Sequence, residues 1–127
     1  MQARKPRLLH SAMDSRLKVD GRFWLTLNGR NFLGRGRIEL LQRIRETGSI
    51  SKAAKAMKMS YKAAWDAVDA MNSAWQTPLV ESGPSGSHLT ENAERLITAF
   101  QRAEAQHTRY LARLADDLTL DQYEHVQ

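Results

Sequence analysis

Gly48-Ser49-Ile50-Ser51-Lys52-Ala53-Ala54-Lys55-Ala56-Met57-Lys58-Met59-Ser60-Tyr61-Lys62-Ala63-Ala64-Trp65-Asp66-Ala67-Val68 is the stretch that decides the fold. Ser49 or Ser51 caps a short helix, about 51–57, with Ala53, Ala54 and Met57 facing inward. Lys58-Met59 is the turn. Ser60 caps a second helix, about 61–74, whose inward face is Ala64, Ala67, Val68, Met71 and Trp75. Helices joined by so short a turn cross closely, and Ala53, Ala54, Ala63 and Ala64 are small enough to let them. A short helix, a tight turn and a helix with a polar outer edge make a helix-turn-helix.

Upstream, residues 22–33 read as a β-hairpin. Phe23, Leu25 and Leu27 alternate with Trp24 and Thr26, and Asn28-Gly29 is a strong two-residue turn signal. Gly34 and Gly36 break the pattern. A helix over about 37–46 then follows, with Ile38, Leu40, Leu41 and Ile44 as its apolar stripe, ended by Thr47-Gly48. Downstream, Pro78 stops the second helix of the pair. Leu79-Val80-Glu81 is a short strand, residues 82–87 a Gly/Ser loop, and His88-Leu89 the returning strand. Thr90 caps a long helix with Glu91 and Glu94 in its first turn. The expected fold is mainly α with small β: a winged helix-turn-helix with an N-terminal β-hairpin and a long C-terminal dimerisation helix. Its parts are a flexible basic arm over 1–20, the winged domain over 21–89, the long helix over 90–120 and a tail over 121–127.

The totals agree with one small domain. The chain has 127 residues, 42% of them hydrophobic, enough for a core, and 26% charged. No run approaches the roughly 18 apolar residues that cross a bilayer. The basic start, Met1-Gln2-Ala3-Arg4-Lys5, has no apolar run behind it and is not a signal peptide. With no cysteine, disulfides, thiolate metal sites and cysteine nucleophiles are excluded, and the cytoplasm is the expected location. Residues 1–60 carry 14 Lys and Arg against 4 Asp and Glu, whereas residues 61–127 carry 5 against 10. One surface therefore suits a polyanion and another suits something else.

The pattern points to duplex DNA, because an α-helix fits the major groove and a neighbouring loop reaches phosphate or the minor groove. The expected DNA-contacting residues are Ser51, Lys52, Lys55, Ser60, Tyr61, Lys62, Trp65, Asp66, Ser85 and Ser87. Ser60 caps its helix and leaves backbone N–H groups for a phosphate. Asp66 accepts from a cytosine amino group, orients Lys62, or forms only an i,i+4 ion pair. Trp65 either touches a thymine methyl or packs against the short helix. Lys52, Lys55 and Lys58 suit phosphates. Ser85, Ser87 and His88 offer hydrogen bonds in a wing without Lys or Arg between Glu81 and Arg95; Arg35 and Arg37 supply charge instead. Arg4, Lys5, Arg7 and Arg16 either enter a minor groove or form a non-contacting tail.

Within the quoted stretch, Ser60-Tyr61-Lys62 through Ala64-Trp65-Asp66-Ala67 resembles the N-terminal DNA-binding domain of the molybdate-responsive ModE regulators. Gly48-Ser49-Ile50-Ser51 followed by Ala53-Ala54 is similar to the related LysR-type winged helix. The resemblance runs from about residue 22 to about 115. It implies a homodimer whose recognition helices, around 60–72, enter successive major grooves, with the long helix paired to its mate and the N-terminal strands near the wing sheet. The wing over 82–88 is shorter and less Gly-rich than the family pattern. No counterpart of the family's molybdate-binding C-terminal region is expected within these 127 residues.

The stripe of the long helix outruns one small domain, and a partner helix covers it best. Leu96, Phe100, His107, Tyr110, Leu111 and Leu114 are the expected dimerisation residues. Histidines at 10, 88, 107 and 125 have no ligand spacing, and no phosphate loop or nucleophile elbow appears, so catalysis, metal and cofactors are not expected. No small-molecule effector is identifiable. The competing reading is a winged-helix protein-interaction module that does not bind DNA.

Overall fold

Two positive backbone angles reverse the chain at its front, φ 53° at Asn28 and 78° at Gly29. That is the two-residue turn whose twist matches a hairpin. It joins β1 (Leu25–Leu27) to β2 (Arg30–Leu33) as an antiparallel pair. The computed structural model describes residues 17–126, with side chains to residue 118. The expected arm cations Arg4, Lys5, Arg7 and Arg16 lie outside the described residues. Phe23, Leu25 and Leu27 turn inward while Trp24 and Thr26 face solvent, as the alternation required.

Helix α1 (Arg35–Thr47) buries Ile38, Leu40, Leu41 and Ile44 and ends at Gly48 in the left-handed region. Helix α2 (Ile50–Ala56) starts at Ser49, whose hydroxyl accepts from the Lys52 amide. Ser49 is therefore the cap, and Ser51 stays exposed on the first turn. Ile50 takes a fully buried place beside Ala53 and Ala54, with Met57 only half-buried. Helix α3 (Tyr61–Ala74) buries Ala64, Val68 and Met71. Ala64 sits at the crossing, but Ala63 does not: it is exposed, because it lies one residue, about 100°, off the buried stripe.

The wing departs from expectation. Strands β3 (Val80–Gly83) and β4 (Gly86–Leu89) extend well into the stretch read as loop, leaving a tight turn at Pro84-Ser85. Gly86 has φ 112°, and a Cβ there would stand 2.6 Å from the Gly48 carbonyl oxygen. The next amide, of Ser87, donates to that same oxygen at 2.9 Å. The turn end of the wing is thus seated on the α1–α2 corner. At the other end, Asn72 ties β3 to α3. Its Oδ1 accepts from the Leu79 and Val80 amides and its Nδ2 donates to the Val80 carbonyl. The two hairpins remain separate two-stranded sheets, with β2 packed on α1 and α3 and β4 on α1.

Helix α4 (Glu91–Val126) runs past the expected end and takes in most of the expected tail. Thr90 Oγ1 accepts from the Ala93 amide and donates to the Pro78 carbonyl. The chain forms two compact units, one of residues 23–101, the other joining residues up to 22 with those from 102. The division falls inside α4. In the first unit Ala93, Ile97 and Phe100 belong to the main core. Phe100, expected in a dimer interface, is 1% exposed and stacks on Phe23 at 4.8 Å. Leu96 packs half-buried against the same core. In the second unit Leu111 and His107 come close to Gly21. Leu114 is half-buried and Tyr110 exposed. No helix of the described residues is long and apolar enough to cross a membrane.

Candidate nucleic-acid interface

The turn between α2 and α3 is a complete Schellman closure. The Met59 amide donates to the Ala54 carbonyl and the Lys58 amide to that of Lys55. The residue this closure places in the left-handed region is Lys58, φ 56°, where glycine is the usual occupant. Ser60 then caps α3, its hydroxyl accepting from the Ala63 amide at 3.0 Å. The cap and the buried triad fix which edge of α3 faces out: Tyr61, Lys62, Ala63, Asp66, Asp69 and Ala70 are all exposed.

Along that edge two i,i+4 pairs run side by side. Tyr61, 56% exposed, meets Trp65 edge to face at 6.2 Å. Trp65 is half-buried against the core, which favours packing over a thymine contact and steadies the tyrosine. The Lys62 Nζ lies 2.9 Å from Asp66 Oδ2. Its hydrogen bond to Asp66, and then the charge of that carboxylate, raise the lysine above its ordinary pKa, so it is protonated throughout the physiological range.

Several cations of the winged domain are paired with carboxylates. Arg43 pairs with Glu39 and Glu46, Arg45 with Glu94 and Arg95 with Glu91. These are exposed pairs, with most of each field cancelled locally. Lys52, Lys55 and Lys58 are exposed on or just after α2, with no ion pair among the described residues. These three lysines add a local positive field on the α2 side of the helix pair. Arg37 is half-buried and donates to the Phe32 carbonyl.

The wing exposes only one of the two serines expected there. Ser85 is exposed at the turn, its hydroxyl 3.3 Å from His88 Nε2. Ser87 is 6% exposed and its hydroxyl meets that of Ser82 at 2.8 Å. Its side chain is turned into the protein and is not presented to a ligand. With the turn only two residues long, strand parity puts His88 outside and Ser87 inside. Sequence reasoning missed Asn72, although a polar residue next to the Met71 position of the inward stripe was a signal that something buried needed a partner.

Residues 36–94 match the family model described as "Bacterial regulatory helix-turn-helix protein, lysR family". The chain is 42% identical over 94 residues to "Molybdenum-pterin-binding protein MopB" of Rhodobacter capsulatus, covering 70% of this chain and 35% of that protein. It is 42% identical over 103 residues to "Transcriptional regulator ModE" of Yersinia pestis, covering 76% and 39%. It is 37% identical over 98 residues to "DNA-binding transcriptional dual regulator ModE" of Escherichia coli K12, covering 73% and 37%. The chain thus spans between a third and two fifths of these relatives' length. A solved structure of a LysR family transcriptional regulator aligns with 56% of this chain and 24% of that one, with a TM-score of 0.49 and 22% identity. With α1, α2, α3 and the β3–β4 wing in this order, the segment 36–94 is a winged helix-turn-helix that matches the LysR-family model and is similar in sequence to the ModE regulators.

Proposed function

We propose that the chain is a sequence-specific duplex-DNA-binding transcriptional regulator, a homodimer that inserts α3 into the major groove. One observation carries the reading. Among the described residues, the outer edge of α3 is exposed and the three lysines of the α2 region have no acidic partner. An α-helix of this kind fits the groove, and cations on the preceding helix suit the backbone it crosses. The relatives named as transcriptional regulators, one of them as DNA-binding, support it. Pairing of α4 with a second copy, through Tyr110, Leu111 and Leu114, supplies the two-fold symmetry. A DNA partner makes the cytoplasm the place of action.

Selection of bound duplexes from a random pool tests this. Enriched sites are expected to be palindromic, with half-sites about one helical turn apart. Lys62→Ala and Tyr61→Ala are expected to weaken binding to the selected site while the circular dichroism spectrum stays unchanged. Unaltered affinity in both variants overturns the placement of α3. One observation favours a second reading, a protein-interaction module: the wing has no Lys or Arg between Glu81 and Arg95. Salt dependence separates the two, since a phosphate-binding protein loses affinity with a log–log slope of several units.

A further inference from the structure

We propose that Lys62 and Asp66 act together as one reading unit for a guanine–cytosine base pair in the major groove. The inference rests on the DNA-binding reading and deepens it. The two side chains are 84% and 62% exposed and are joined at 2.9 Å. An isolated pair of this kind adds little to stability. Nor does it suit a phosphate, because the carboxylate cancels the attraction that the ammonium would exert and repels the polyanion itself.

What the pair does suit is a base edge with acceptors beside a donor. Across the major groove a G·C pair presents guanine N7 and O6 as acceptors, then the cytosine N4 amino group as donor. A lysine ammonium has three protons, of which Asp66 takes one. The others can reach N7 and O6. Asp66 keeps its second oxygen for the cytosine amino group. The separation also matches: O6 and N4 are bonded to each other at about 2.9 Å, the usual N–H···O distance. On an A·T pair the same arrangement fails, since the ammonium meets the adenine amino group and the carboxylate meets thymine O4 and its methyl. Asp is short, so it reaches a base only where the helix lies deep. Ala63 and Ala70, both exposed on this edge, leave room for that approach.

The test uses the selected duplex and its single-pair variants in equilibrium titrations. For the wild type, replacing one G·C pair of each half-site by A·T is expected to weaken binding roughly 5- to 150-fold. Replacing that guanine by inosine, which keeps the major-groove edge, is expected to leave affinity unchanged, and 7-deazaguanine is expected to weaken it. Lys62→Met and Asp66→Asn should each erase most of that preference. Asp69→Asn, which removes the same charge from the same helix, should raise affinity for all duplexes and retain the preference. The inference is overturned if both Lys62→Met and Asp66→Asn keep the G·C preference, or if Asp69→Asn removes it equally. A wild-type chain that binds no duplex overturns the functional reading, and this inference with it.

Discussion

Lys58 carries a conflict between folding and charge. The Schellman closure after α2 requires a left-handed residue, and a side chain in that region costs about 1 kcal/mol or more relative to glycine. The residue follows the C-terminal end of α2, where the dipole favours a positive charge, and stands two residues before the Ser60 cap of α3. Lys58→Gly is therefore expected to raise stability by about 1 kcal/mol and to weaken duplex binding, reducing the salt slope by about 0.9. Urea denaturation and DNA titration read the two effects separately; a gain in both would show that the charge has no role at the DNA. At this scale much was legible in the sequence. Asn28-Gly29, Ser60 and the i,i+4 spacing of Lys62 and Asp66 are local signals with local consequences. Ser87 was not legible, because its direction depends on strand parity, and that depends on a turn length which six small residues in a row do not reveal.

At the scale of elements, the wing is seated rather than hung. Its turn end donates from Ser87 to the Gly48 carbonyl, and Asn72 anchors the start of its first strand. Gly86→Ala tests the seat. The new Cβ would collide with backbone, not with a flexible tip, and φ 112° is strained for any side chain. The expected loss is on the order of 2–4 kcal/mol, combining backbone strain with the displaced hydrogen bond. Chemical denaturation checks it, and a loss below about 0.5 kcal/mol would mean the hairpin shifts away at little cost. The apolar stripe of α4 was legible, but its partners were not. Periodicity shows that Phe100 must be covered. Only the tertiary fold shows that Phe23 of the same chain stacks on it.

At the scale of the whole molecule, the sign of the charge changes along the chain, with 14 basic against 4 acidic residues in 1–60 and 5 against 10 in 61–127. That asymmetry was legible from composition, and it suits a protein whose front half faces phosphate and whose last helix faces a copy of itself. Leu114→Glu probes the second half of that statement. It is expected to raise the dimer dissociation constant by on the order of 30-fold or more and to leave the 23–101 unit folded, as sedimentation equilibrium and thermal melting would show. A wild-type monomer at every concentration would remove the two-fold argument. The corner at Gly48 reaches further still. It ends α1, precedes the cap of α2 and accepts the wing's amide, so, on the DNA-binding reading, the distance between the groove-filling helix and its neighbouring hairpin is built in like the gap of a caliper. A caliper does not bend to its workpiece. Double helices that are supple or already narrowed to the right gauge would be gripped, and stiffer ones refused, at steps that no side chain ever touches.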